Sequence, residues 1–149
     1  MSIFGAFNIN ASGMTAERYR MDVIAENVAN ANTTRTADGT PYRRKVVTFE
    51  EKKATPATFS SYLGHASEQY IGQGVKVSAV SEDKYTQMKM VYDPSHPDAD
   101  ENGYVTYPNV DIVTEMTNLI DASRSYEANA TAFQASKSIA MKGLEMGNG

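Results

Sequence analysis

Apolar and small residues fall at three- and four-residue steps near both ends of this chain, and the rhythm changes between them. The first series is Phe7, Ala11, Met14, Arg18, Met21, Ala25 and Val28. The last is Ile112, Met116, Leu119, Ser123, Tyr126, Ala130, Phe133, Lys137, Ala140 and Leu144. Such steps keep side chains on one helical face, so each series predicts a seam that packs on another helix. The first helix is expected from about Phe4 to Ala31, with Ile24 widening the stripe. Ser12-Gly13 predicts a break or bend, since interior glycine weakens a helix by about 1 kcal/mol against alanine. Asn30, Asn32, Thr33 and Thr34 are cap and turn formers that end it.

From Arg35 to Pro108 the pattern reads as strands and turns. Asp38-Gly39 before Pro41 is a turn, and Tyr42–Phe49 is a strand with Val47 and Phe49 on one face. Glu50–Ser67 is polar and reads as a surface loop. Val75–Val80, Met88–Tyr92 and Tyr104–Tyr107 are further strands. Asn109 is the expected N-cap of the last helix, with Asp111 in its first turn, where the helix dipole favours an acid. That helix runs to about Met146, or roughly 55 Å at 1.5 Å per residue, and needs a partner of comparable length. The fold class is therefore α+β. Long N- and C-terminal helices pair as a coiled-coil-like hairpin around a small β-rich insert. The segments are 1–34, 35–108 and 109–149, forming one structural unit.

The seams are poor in leucine and isoleucine. Small residues allow close helix approach but bury little area each, at about 25 cal/mol per Å². One intramolecular pair would be marginal alone, and other copies packing around it would make up the deficit. Buried amides can fix the register of paired helices, and Asn27, Asn30 and Asn129 are candidates for that role.

Composition adds exclusions. The chain has 149 residues, 14 basic and 18 acidic, for a net charge of −4. That argues against nucleic acid, which selects a concentrated basic face; the Arg43-Arg44-Lys45 run reads as a solvated strand end. The chain has no cysteine, which excludes a thiol nucleophile, a cysteine-bound zinc and any disulfide. Met1–Ala16 carries no lysine or arginine, and no apolar run reads as a signal peptide or membrane span. Export, if it occurs, is expected to leave the N-terminus uncleaved.

Candidate chemistry is thin. Asp98-Ala99-Asp100-Glu101-Asn102-Gly103 matches the first half of a calcium-binding EF-hand loop. Position twelve is Asn109, and Pro94 and Pro97 stand where a helix is required. His65 and His96 lie in loops without metal-ligand spacing. Gly72-Gln73-Gly74 enters a strand rather than a helix, unlike a dinucleotide loop. No residues fill the roles of a catalytic site, so the reading is non-enzymatic, with no cofactor. The alternative is a soluble coiled-coil adaptor with a weak calcium-binding loop.

Two stretches then carry a resemblance. Ala11-Ser12-Gly13-Met14-Thr15-Ala16-Glu17-Arg18, followed by Ala25-Glu26-Asn27-Val28-Ala29-Asn30-Ala31-Asn32-Thr33, resembles the N-terminal motif of bacterial flagellar rod, hook and hook-associated proteins. Tyr92–Val105, Pro108-Asn109-Val110, Glu115-Met116 and Ser123–Asn129 narrow the likeness to the proximal-rod members of that axial family.

The resemblance implies a structural subunit of the basal-body rod, in the periplasmic space. Such a subunit polymerises helically into part of the drive shaft that carries torque from motor to hook and filament. It implies export by the flagellar type III apparatus without signal cleavage. The implied partners are other rod subunits, the membrane-ring and export-gate end of the basal body, the ring-to-rod junction protein and further copies of the chain. The expected assembly contacts are the seam and register residues Phe7, Met14, Met21, Asn27, Val28, Asn30, Met116, Leu119, Tyr126, Asn129, Phe133 and Leu144.

Overall fold

The computed structural model describes residues 3–52 and 72–147. The architecture is α+β. Helix α1 (Ile3–Ala29) leads to strands β1 (Lys45–Glu51), β2 (Val75–Glu82), β3 (Lys89–Tyr92) and β4 (Tyr104–Tyr107), and the chain ends in helix α2 (Ile112–Gly147). Strands β1 and β2 form one two-stranded sheet, β3 and β4 another. The second is antiparallel, with Lys89 opposite Tyr107 and Tyr92 opposite Tyr104. His65 and the polar stretch after Lys52 lie outside the described residues.

The described chain divides into two compact units. The first contains residues 3–18, 49–52, 72–78 and 124–147; the second contains 19–48 and 79–123.

In the first unit the helical segments run antiparallel. Phe7 meets Phe133 with ring centroids 5.0 Å apart, and Gly13 backs onto Asn129. The expected break at Ser12-Gly13 is absent, because α1 is continuous there. Ser12 is not a cap. Its hydroxyl donates to the Ile9 carbonyl at 2.7 Å and accepts the Val75 N–H at 3.1 Å. A Cβ on Gly13 would stand 2.8 Å from Asn129 Oδ1, so the glycine serves close approach rather than a bend. Gly74 has a φ of +101°, and a Cβ there would reach within 2.1 Å of Ser12 Oγ. The Gly72-Gln73-Gly74 stretch is thus the place where a strand start is pressed against α1.

These contacts predict a steric test. Gly13→Val should cost about 1–3 kcal/mol through overpacking and lower the urea midpoint of the chain. Asn129→Ala in the same chain should recover most of that midpoint. An unchanged midpoint for Gly13→Val alone would refute the close-approach account.

Among the described residues the second unit holds most of the buried side chains. Val23, Ile24, Ala31, Tyr42, Val105 and Ala122 are buried there, with Asn27, Asn109 and Glu115. Among the described residues of the first unit only Gly13 and Ala16 are buried.

The expected turn at Asp38-Gly39 is present. Gly39 has a φ of 75°, and its N–H donates to the Thr36 carbonyl at 2.9 Å. Asn109 does not cap α2. That role falls to Asp111, whose carboxylate accepts the Val113 N–H at 3.2 Å and the Thr114 hydroxyl at 2.7 Å. Those bonds, the hydroxyl first, hold the Asp111 carboxyl below its ordinary range.

Candidate functional site

The buried positions of the two helices include many that are small or polar, and those of α2 include none of its large apolar residues. In α1 the buried positions are Gly13, Ala16, Val23, Ile24 and Asn27; in α2 they are Glu115 and Ala122. These positions are mostly small or polar. Of the expected seam, Phe7, Met14, Met21 and Val28 are half-buried, while Arg18 and Ala25 are exposed. Leu119, Ser123, Tyr126, Ala130, Phe133 and Ala140 are also half-buried, while Ile112, Met116, Lys137 and Leu144 are exposed. Part of the expected seam is thus half-buried within the chain, with Phe7 against Phe133, and part of it is open. Ile112, Val113, Met116 and Ile120 form an open apolar stripe on the first turns of α2, and Ile139, Met141, Leu144 and Met146 are exposed near its end.

The amides differ in what they do. Asn27 is buried and uses its full hydrogen-bonding capacity. Its Nδ2 donates to the Lys45 carbonyl and to Glu115 Oε2, both at 2.9 Å. Its Oδ1 accepts the Tyr42 hydroxyl at 2.9 Å and the Lys45 N–H at 2.8 Å. Asn30 bonds locally, donating to the Glu26 carbonyl at 2.9 Å. Asn129 donates to the Ser125 carbonyl of its own helix at 2.9 Å.

The basic run is not a solvated strand end. Glu115 is 0% exposed, and its Oε1 accepts Arg44 Nε at 2.9 Å and Nη2 at 2.7 Å. Lys45 pairs with Glu26. Burying a carboxylate without a partner would cost several kcal/mol, so Arg44 and Asn27 together make this burial tolerable. The same strand start is held from the other side. Asn109 Oδ1 accepts the Arg44 N–H at 2.8 Å, and its Nδ2 donates to the carbonyls of Asp83 and Thr86 at 2.9 and 3.2 Å. Arg44, Tyr42, Asn109 and Glu115 form a group that the sequence by itself does not mark. Nothing in their spacing announces it, because Arg44 and Glu115 lie 71 positions apart.

Burial, reinforced by the charges of Glu26, Glu115 and Glu82, pushes the Tyr42 phenol up to about 12. The folded value lies above the unfolded one of about 10. The resulting stabilisation is complete below pH about 10 and is lost as pH rises through about 12. The stability advantage of the parent chain over Tyr42→Phe should therefore vanish across that window in alkaline denaturation. A constant advantage would show that the phenol titrates normally.

The Asp98–Gly103 loop spends its oxygens on itself and its surroundings. Asp98 Oδ2 accepts the Thr34 hydroxyl at 2.8 Å, and Asp98 Oδ1 lies 3.4 Å from Arg35. Asp100 Oδ1 accepts the N–H groups of Asn102 and Tyr104 at 2.9 and 2.8 Å. His96 Nδ1 accepts the Asp98 N–H at 3.1 Å. Among the described residues no three carboxylate or imidazole groups converge as metal ligands, and no helix is long and apolar enough to cross a membrane.

Comparison with known proteins agrees with this picture of helix ends and structural turns. A family described as "Flagella basal body rod protein" matches residues 7–35, and "Flagellar basal body rod FlgEFG protein C-terminal" matches residues 101–146. The flagellar basal-body rod protein FlgC of Bacillus subtilis strain 168 is 45% identical, over 99% of each chain. FlgC of Borreliella burgdorferi is 43% identical over 93% of each, and FlgC of Salmonella typhimurium 41% over 99% of each. With identity of this level along nearly the whole chain, the protein belongs to the FlgC family of flagellar basal-body rod proteins.

Proposed function

We propose that this rod protein polymerises helically, together with other rod subunits, into the proximal part of the flagellar drive shaft. The observation that supports this most is the placement of apolar residues on α2. Its buried positions are Glu115 and Ala122, while Met116, Ile120, Ile139 and Leu144 are open. A helix of 36 residues with Ile112, Val113, Met116, Ile120, Ile139 and Leu144 in water is unfinished as a monomer, and neighbouring subunits complete it. Contacts between unlike patches do not close on themselves and grow a helix.

In this reading the terminal segments 1–34 and 109–149 form the wall and 35–108 faces outward. The wall contacts come from Phe7, Met14, Met21, Val28, Met116, Leu119, Tyr126, Phe133 and Leu144, with Asn27, Asn30 and Asn129 fixing register. The rod stands in the periplasmic space between the membrane ring with its export gate and the hook, reached through the type III apparatus without signal cleavage. The ring-to-rod junction protein is a neighbour at its base.

The test is genetic and biochemical. Cells lacking this chain should be non-motile and devoid of hook–basal bodies, and the full-length chain should restore both. Purified basal bodies should contain it by immunoblot. Motile cells without the chain, or basal bodies free of it, would overturn the reading.

A further inference from the structure

Asn102 is the one asparagine followed by glycine among the described residues. That pair is chemically frail. A peptide nitrogen can attack the side-chain amide of the residue before it, and glycine, with no Cβ, crowds the approach least. The Gly103 nitrogen bonds to Asn102 Cγ and closes a five-membered imide. The Cγ–Nδ2 bond breaks, and the amide nitrogen leaves as ammonia with the Gly103 proton. Water then opens the imide at either carbonyl, leaving aspartate or isoaspartate at position 102. One water enters and one ammonia departs, with no oxidation or reduction.

The fold opposes the first of these steps. Asn102 is exposed, so water reaches it, but its main-chain N–H is tied to Asp100 Oδ1 at 2.9 Å. Gly103 is buried, and its N–H donates to the Asp100 carbonyl at 2.9 Å. A Cβ on Gly103 would stand 2.9 Å from Tyr92 Cε2 and 3.1 Å from Pro94 Cβ, so this residue has little room to turn. The Gly103 carbonyl accepts the Asp93 N–H at 2.9 Å. The Tyr104 N–H donates to Asp100 Oδ1 at 2.8 Å, and the Tyr104 carbonyl accepts the Asp100 N–H at 2.9 Å. Attack requires the Gly103 nitrogen to give up its proton and move onto Asn102 Cγ, and all of these bonds resist that motion.

We propose that Asn102-Gly103 is a site of spontaneous deamidation, restrained by the folded connection between β3 and β4 and unrestrained in the unfolded chain. This goes beyond the rod reading and does not depend on it. The product harms the place that forms it. Aspartate sets a further carboxylate beside Asp100 and Glu101. Isoaspartate inserts one more main-chain carbon just ahead of β4, whose Val105 is 0% exposed. A chain that lingers unfolded therefore loses the closure of the β3–β4 pair, and one that folds promptly keeps it.

The full-length chain would be held at neutral pH, folded in one sample and in urea in another, and followed by mass spectrometry of its peptides. Peptide mapping separates this site from Asn148-Gly149, which lies outside the described residues. The expected result is a one-dalton gain at residue 102 in urea, with isoaspartate identified by electron-transfer fragmentation. In the folded sample the rate should be lower by about ten-fold or more, because reaction there waits on local opening. Asp100→Ala should raise the folded rate several-fold and leave the rate in urea unchanged. After removal of urea, the aged parent should show a lower urea midpoint than fresh chain, whereas aged Asn102→Gln should match its fresh counterpart. No gain in urea, or equal rates in the two samples, would overturn the proposal. An unchanged folded rate for Asp100→Ala would overturn the restraint assigned to these bonds, and an unchanged midpoint for the aged parent would overturn the harm assigned to the product.

Discussion

Arg44→Met is expected to cost the second unit about 3–5 kcal/mol, the usual penalty for removing one partner of a buried ion pair. The loss falls on Glu115, which is fully enclosed and would keep only Asn27 and a long contact from Asn118 at 3.4 Å. Domains of this size are stable by roughly 5–15 kcal/mol, so this one change removes a large share. Glu115→Leu added to Arg44→Met should recover most of the loss, because well-packed apolar replacements of a buried pair are often neutral. Recovery should stop short by about 1–3 kcal/mol, since Asn27 Nδ2 would then lack its buried acceptor. Urea denaturation of the single and double variants forms the required cycle. Additive losses, with no coupling above about 0.5 kcal/mol, would mean that Arg44 and Glu115 do not act as a pair.

Much of the fold was legible from pattern alone. Strand β4 spans the four residues expected of it, Tyr104–Tyr107. The long C-terminal helix and the turn at Gly39 also lie where spacing and composition place them. What a hydrophobic pattern passes over are the small and polar residues that are also enclosed: Gly13, Ala16, Asn27, Ala122 and Glu115 accompany Val23 and Ile24 among the buried described positions of the two helices. Met116 is one residue beyond Glu115, and a helix turns by about 100° per residue, so the two face different surroundings.

The Ser12-Gly13 error has a related cause. Helix propensity weighs a glycine by itself, whereas Asn129 packing against Gly13 is a tertiary effect that propensity does not register. The polar network was illegible for a different reason. Arg44, Tyr42, Asn109 and Glu115 come from separated stretches, and each by itself reads as an ordinary strand, cap or helix-surface residue.

The uneven core makes the two ends of the chain differ in what their loss removes. Because the first unit buries only Gly13 and Ala16 among its described residues while the second encloses the network, the two should respond differently to truncation. Deleting residues 130–149 removes Phe133 and the ring it presents to Phe7, but leaves every residue of the Arg44–Glu115 network. That variant should keep slow amide exchange around Asn27, Tyr42 and Glu115 in the isolated chain, yet abolish rod assembly and swimming completely. Deleting residues 1–30 removes Asn27 as well as the helix, so it should eliminate both the protected amides and motility.

In the full-length isolated chain, amides of 5–18 and 124–147 should exchange orders of magnitude faster than those of the second unit, and become slow in purified basal bodies. The physical reason is that local opening is cheap where few apolar side chains are enclosed. Neighbouring copies that cover Ile139, Met141 and Leu144 would raise its cost. Uniform protection across both units in the free chain would contradict this division of labour. So would normal swimming after loss of residues 130–149.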